Sequence, residues 1–328
     1  MKIAVIGYYG HNNLGDELNL LEMLKLLKRQ KEDAEITVFS GGLPYLYYET
    51  EYPLVLADPL GLEGYRRALN TFDLIIIGGG GLVFLGANYF NFLLEGVTAP
   101  YIFSRVGIDA RAVSEAARRE LGLILSGACD VTVRTAQDSR LANEYFGLSC
   151  DAVPEAIWNY RAEPFRYVYG GKILLVDINR YAANFAQGLS SSLSGLQTPH
   201  TICTLSMQDM SDDAYYNVLS TPRRLILPDA VSLHKKASFL GAADIVVTSR
   251  LHAGLVAISH GVPAILLKST PKVKYLAEEL ELGALYFDRV PESAEIDDLL
   301  GRREALRAEL SEKAGVMREK AAANLIRS

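Results

Sequence analysis

The sequence predicts an α/β protein of two doubly wound, Rossmann-like lobes of parallel sheet facing a cleft. Three observations carry that expectation. Short apolar runs alternate with helix-period segments, the runs are apolar throughout, and the pattern breaks and restarts near the middle. Parallel strands need crossovers, which gives the alternation. Burial of both sheet faces makes each strand continuously apolar. A length of 328 residues suits two domains of roughly 150 residues each.

In the first half, strands are expected at Lys2–Gly7, Glu35–Ser40, Asp73–Ile77, Pro100–Ser104 and Asp130–Arg134. Helices fit at Asp16–Gln30, Leu62–Leu69, Ala110–Leu125 and Gln137–Phe146. Residues 149–171, with Pro154, Pro164 and the only tryptophan, Trp158, lack a period and read as a hinge. The strand pattern resumes at Lys172–Asp177, His200–Leu205, Arg224–Leu227, Asp244–Thr248 and Pro263–Leu267. Helices are expected at Asp212–Leu219, Ser232–Gly241, His252–His260 and Val273–Leu282, with one long charged helix from about Ile296 to Ile326. The division is therefore an N-terminal lobe, 1–158, and a C-terminal lobe, 159–328, with the last helix free to return to the first lobe.

A net charge of −6 without long Lys/Arg blocks argues against nucleic acid as a partner. Cys129, Cys150 and Cys203 are odd in number and widely spaced, so buried free thiols in a reducing cytoplasm are expected, not a metal site or disulfide framework. The sequence opens directly on a strand, from which no leader is expected. Its longest apolar run, Leu74 to Ala87, is broken by four glycines and falls short of the about 20 residues that cross a bilayer. Peripheral work at a membrane surface, on a lipid-linked substrate, stays compatible with this composition.

Three strand-end turns carry the candidate chemistry. Gly7 to Glu17, with Asn12, Asn13 and Asp16, follows a strand and opens a helix, a geometry that aims backbone N–H groups above the sheet. Its glycines, at 7, 10 and 15, do not form a dinucleotide fingerprint, and its polar residues also suit turn and N-cap positions. Gly78-Gly79-Gly80-Gly81 follows a buried strand, where glycine permits close approach of a ligand or a sharp turn.

The third turn, Ser249-Arg250-Leu251-His252-Ala253, is the strongest. Arg250 offers a permanent, bidentate cation for carboxylate or phosphate. His252 offers a proton near neutral pH. The competing view has His252 capping the helix and Arg250 pairing with an acid. One strand later, Ser269-Thr270-Pro271-Lys272-Val273-Lys274 repeats the geometry, with Lys272 or Lys274 able to point into the same crevice, and Arg134 is the matching strand-end cation of the first half. His260, on an apolar helix, reads as structural.

Gly-Tyr-Tyr-Gly-x-x-Asn-x-Gly-Asp at 7–16, the glycines at 78–81, Val133-Arg134, Arg250-Leu251-His252-Ala253 and Pro271-Lys272-Val273 together resemble the polysaccharide pyruvyl transferase family. The resemblance implies a GT-B-like fold and transfer of a pyruvyl group from phosphoenolpyruvate to sugar hydroxyls, as a ketal, with release of phosphate. It implies His252 as the acid and Arg250, Lys272 and Arg134 as partners of the donor's anionic groups. It places a sugar or lipid-linked glycan acceptor near Asn13, Asp16, Gly79 and Gly80. No cofactor or metal is expected. Two departures stand out: Ser104 to Asp109 replaces a turn that contains Gly-Pro in many relatives, and Asp151 to Glu155 matches an Asp-Pro element only loosely. The alternatives are a nucleotide-sugar glycosyltransferase and a non-catalytic sugar-binding member of a glycan biosynthesis complex.

Overall fold

The computed structural model describes residues 1–42, 52–56, 60–84, 89–109, 114–168, 171–179, 182–207, 224–226 and 231–326. The chain divides into two compact units. Unit 1 holds Met1–Asn12, Asp16–Ile157 and Glu319–Ser328, and unit 2 holds Asn13–Gly15 and Trp158–Arg318.

Unit 1 is built on a parallel sheet of β1 (Lys2–Ile6), β2 (Glu35–Ser40), β3 (Leu54–Leu56), β4 (Leu74–Gly78), β6 (Tyr101–Val106), β8 (Asp130–Val133) and β9 (Asp151–Ala152). Their spatial order is β3-β2-β1-β4-β6-β8-β9. A small parallel pair, β5 (Val83–Phe84) with β7 (Ile108–Asp109), lies apart from it. Every residue of β4 and β6 is buried, as a sheet covered on both faces requires.

The helices of unit 1 are α1 (Leu14–Gln30), α2 (Gly61–Leu69), α3 (Glu115–Gly127) and α4 (Ala136–Phe146) among the described residues. Asp16 and Glu17 lie in the first turn of α1 and Lys28 and Arg29 in its last, matching the helix dipole. Ser114 and Thr135 cap α3 and α4 by accepting from backbone N–H groups. Gly147 ends α4 in the left-handed region at φ 67°.

Unit 2 repeats the plan with β10 (Lys172–Asp177), β11 (His200–Thr204), β12 (Arg224–Ile226), β13 (Ile245–Thr248), β14 (Ala264–Leu267) and β15 (Tyr286–Phe287). The order is β12-β11-β10-β13-β14-β15, again parallel. Among the described residues its helices are α5 (Ala183–Ser194), α6 (Leu233–Ala242), α7 (Leu251–Ser259), α8 (Pro271–Glu279), α9 (Ser293–Gly301) and α10 (Arg303–Ala321). The final residues of α10, from Glu319, count with unit 1.

Several expectations shift. The single closing helix is two, because the chain turns at Arg302 between α9 and α10, and α9 starts early on a capping box of Glu292 and Glu295. The aperiodic stretch after Leu148 contains β9, which extends the first sheet. The helix expected at Asp212–Leu219 lies outside the described residues. All three cysteines are free, but Cys129 is exposed, on the turn that leads from α3 into β8. No helix of the described residues is long and apolar enough to cross a membrane.

Arg105, inside the segment that departs from the family pattern, has a structural explanation. It is 1% exposed and has a positive φ of 58°, where pairing of β6 with β8 shifts register between Phe103 and Val106. Non-glycine residues adopt that backbone at a cost. The guanidinium offsets it by donating to the carbonyls of Pro154 (3.1 Å), Ala321 (2.7 Å) and Ala323 (2.6 Å). The last carbonyls of a helix have no partners within it and carry partial negative charge, so a cation there satisfies both needs. Leu325 then joins the core formed by α1, β1 and β2. Replacing Arg105 with Met keeps much of the volume and strands three carbonyls. The variant should lose about 3 kcal/mol or more of stability, read as a lower denaturant midpoint.

His260 ties unit 2 together. Its Nε2 accepts from the Ala162 N–H (2.9 Å) and its Nδ1 lies 2.8 Å from the Val256 carbonyl. That pair fits only a neutral ring with the proton on Nδ1. Burial lowers its pKa below 6.5; the Val256 carbonyl opposes this, and Arg161 and Arg318 add to it. The unfolded imidazole therefore takes up a proton at a pH where the folded one does not. Stability should fall as pH drops through about 6.5 and level off below the folded pKa. His260→Gln, which can keep both bonds, should flatten that slope in melts across the same range.

Candidate active site

In open α/β sheets, ligands settle at the carboxyl ends of strands where the winding direction reverses. In unit 1 that point lies between β1 and β4, so the turns after Ile6 and Gly78 flank it. In unit 2 it lies between β10 and β13, flanked by the turns after Asp177 and Thr248.

The unit 2 turn is held by a buried carboxylate. Asp177, at the end of β10, is fully buried. One oxygen accepts from the Thr248 hydroxyl (2.8 Å) and the other lies 3.7 Å from Nε of Arg250. Thr248 Oγ1 in turn accepts from the Arg250 N–H (2.9 Å). Ser249 accepts from the Asn179 N–H at Oγ (2.8 Å), and its carbonyl accepts from Ser269 Oγ (2.5 Å). Two adjoining strand-end turns are thereby knitted together.

Arg250 is the N-cap residue of α7, without a side-chain cap bond, and His252 is buried one position into the helix. His252 is therefore not the cap, whereas Arg250 does have an acid beside it. Lys272 stands half-buried at the second position of α8, on the next strand over. Arg250, His252 and Lys272 thus occupy neighbouring helix N-termini, where cation, backbone N–H groups and dipole all favour an anion.

Asn13 to Gly15 also count with unit 2. Asn13 Oδ1 accepts from the Gly15 N–H (3.3 Å), and the Leu14 N–H donates to the Met207 carbonyl (3.0 Å). A Cβ at Gly15 would collide with the His252 ring. Glycine is required there by close approach to the imidazole.

In unit 1, Gly79 and Gly80 have φ of 77° and 76°. A Cβ on Gly79 would strike Asn19, and one on Gly80 would strike Asp16. The Gly80 N–H donates to Glu155 (2.9 Å), and Asn19 accepts from the Ile157 N–H (3.1 Å). Tyr9 donates its hydroxyl to the Gly78 carbonyl, and burial, then Asp16, Glu17 and Glu155, hold its pKa well above the usual phenol range.

Arg134 lies in a buried ion cluster, not at an open strand end. Its guanidinium is 3.6 Å from both Asp138 and Glu155. Burial opposes its charge, but Glu155, Asp138, Asp16 and Asp109 outweigh that and hold its pKa above the ordinary value. Burial pushes the Asp138 carboxyl up, against Arg134, the Thr135 hydroxyl and the Ile108 N–H. The first unit therefore gathers Asp16, Gly79, Gly80 and Arg134, and adds Tyr9, Asn19, Asp138 and Glu155.

Sequence reasoning passed over Asp177 and Thr248 as ordinary strand ends. Their signal was weak but present: each is a polar residue closing an apolar run at a switch-point strand.

A family model described as polysaccharide pyruvyl transferase matches residues 13–270. The chain belongs to the polysaccharide pyruvyl transferase family. Solved structures with the same GT-B-like fold include a co-structure of S. aureus MnaA with UDP, at 12% identity and TM-score 0.63, covering 95% of this chain and 91% of that one. Another is a putative UDP-N-acetylglucosamine 2-epimerase from Listeria monocytogenes, at 13% identity and TM-score 0.61, covering 99% and 92%. A third is the calicheamicin glycosyltransferase CalG4, at 14% identity and TM-score 0.55, covering 98% and 94%. No curated protein matches the chain in sequence.

Gly80→Ala should lose about 2 kcal/mol of stability, from the positive φ and the collision with Asp16. Thermal or chemical denaturation checks this, and a change within about 0.5 kcal/mol would place Asp16 away from the glycine turn.

Proposed function

We propose that the protein transfers the pyruvyl group of phosphoenolpyruvate to two hydroxyls of a sugar in a cell-surface polysaccharide or its precursor, forming a pyruvate ketal and releasing phosphate. The observation that carries this reading is the pairing of Arg250 and His252 on one turn at the second sheet's switch point, beside Lys272. Phosphoenolpyruvate has a carboxylate and a phosphate on a three-carbon frame, and cations on adjoining turns suit both ends.

His252 gives a proton to the methylene carbon of the donor, leaving an oxocarbenium-like centre at C2. The first sugar hydroxyl adds there and loses its proton. Cleavage of the bond between C2 and the phosphate oxygen releases phosphate, and the second hydroxyl closes the ketal. Of the two hydroxyl protons, one replaces that spent on the methylene carbon and the other leaves with phosphate. Arg250 and Lys272 hold the two anionic ends of the donor, which stabilises charge as the phosphate departs. Asp16 and the turn at Gly79-Gly80, with Asn13, take the acceptor side, where Arg134 sets the charge of the carboxylates around it. The chemistry needs no cofactor or metal. The setting is the cytoplasm, at the inner face of the membrane when the acceptor is lipid-linked.

Nucleotide-sugar transfer is the second reading, favoured by the UDP-bound structural neighbour. Incubation with phosphoenolpyruvate and a panel of sugars, followed by phosphate release and acceptor mass, separates the two. Ketal formation supports the first. Glycosyl transfer from a UDP-sugar, with no acceptor gaining pyruvate, overturns it. His252→Ala should lower kcat about 10²–10⁴-fold and keep most of the melting-temperature rise produced by phosphoenolpyruvate. Arg250→Ala should lose that rise.

A further inference from the structure

Within the Ser269–Lys272 turn, Thr270 has been given no role so far. Thr270 is the N-cap residue of α8, with φ −139° and ψ 154°. In this chain Ser114, Thr135 and Ser232, in the same extended region, each turn the hydroxyl back to accept from an N–H of their helix. Thr270 does not. It is 6% exposed, and its Oγ1 has no hydrogen-bond partner among the described residues. A buried hydroxyl without a partner destabilises a fold, so it points to a group that serves something other than folding.

The surroundings say what that is. The first position of α8 is Pro271, with no N–H to satisfy, and the next is Lys272. Ser269 is bonded to the Ser249 carbonyl, so the starts of α8 and α7 are fixed side by side on paired strands. Strand spacing is about 4.8 Å, a separation on the scale of one small ligand. Each start has its own cation, Lys272 on α8 and Arg250 on α7, and neither helix has a side-chain cap. The two are not equivalent. Arg250 shares its charge with Asp177 at 3.7 Å, whereas α8 adds a hydroxyl able to donate. A phosphate, with more oxygens and more charge than a carboxylate, suits the latter.

We infer that the start of α8 is the phosphate seat, with Thr270 Oγ1 donating to a phosphate oxygen beside Lys272, so that the carboxylate end of the donor faces Arg250 and His252. This rests on the phosphoenolpyruvate reading for the orientation of the donor, but the phosphate seat can be tested without it.

The test is titration of inorganic phosphate into the full chain, followed by calorimetry and melting temperature at constant ionic strength. Wild type should bind phosphate and melt higher in its presence. Thr270→Val, which keeps shape and removes the hydroxyl, should bind it about tenfold more weakly, as loss of a bond to a charged group predicts. Thr270→Ser should retain binding. Without ligand, Thr270→Val should melt no lower than wild type, because it removes a buried polar group without a partner. Pyruvate, which has only the carboxylate, should bind the Val variant as it binds wild type.

The seat is overturned if wild type fails to bind phosphate, if the Val variant binds it within about twofold of wild type, or if that variant melts well below wild type without ligand. Equal weakening of pyruvate overturns the orientation. Phosphate binding that follows this pattern, with phosphoenolpyruvate neither bound nor turned over, would keep the seat and remove the donor assigned above.

Discussion

Each sheet is wound outward in two directions from one inner strand, β1 in unit 1 and β10 in unit 2. Right-handed crossovers that run in opposite directions cover opposite faces, so the strand ends between them stay uncovered by helix. The glycine turns and the Arg250–His252 turn derive their position from that reversal, and the start of α8 lies one strand further out.

Position alone does not fix the side chains of a turn, and in unit 2 the Asp177 network supplies the rest. A fully buried carboxylate is costly unless it is bonded and paired. Here it accepts from Thr248 and faces Arg250, and Thr248 also holds the Arg250 backbone. The guanidinium is thereby set before any ligand arrives, which lowers the cost of binding. In unit 1 the balance is reversed. There the buried Arg134 guanidinium is surrounded by Asp138, Glu155, Asp16 and Asp109, so carboxylates outnumber the cation.

Much of this was legible in the sequence, for a local reason. A buried strand such as Ile245–Thr248 is continuously apolar, so the Arg250–His252 turn that ends it is evident by contrast. The same contrast placed Gly79-Gly80 and Lys272 at strand ends. What escaped depended on contacts distant in sequence. Asp177 meets Arg250 across 73 residues, and Arg105 meets Ala321 across 216. Arg134, expected at an open strand end, is enclosed by carboxylates from α4 and from Glu155. The break at Arg302 was hidden because the charged pattern of α9 continues into α10 without proline.

The Arg105 contacts also have a consequence for how the protein is made. Most of unit 1 precedes Ile157 in the chain, yet two of the three carbonyls that accept from Arg105, and the Leu325 side chain in its core, follow more than 160 residues later. Domains generally fold as units in the order of their synthesis. The first unit to emerge therefore lacks two of the acceptors of its buried Arg105, and the Leu325 packing beside α1, until translation of the second is nearly complete.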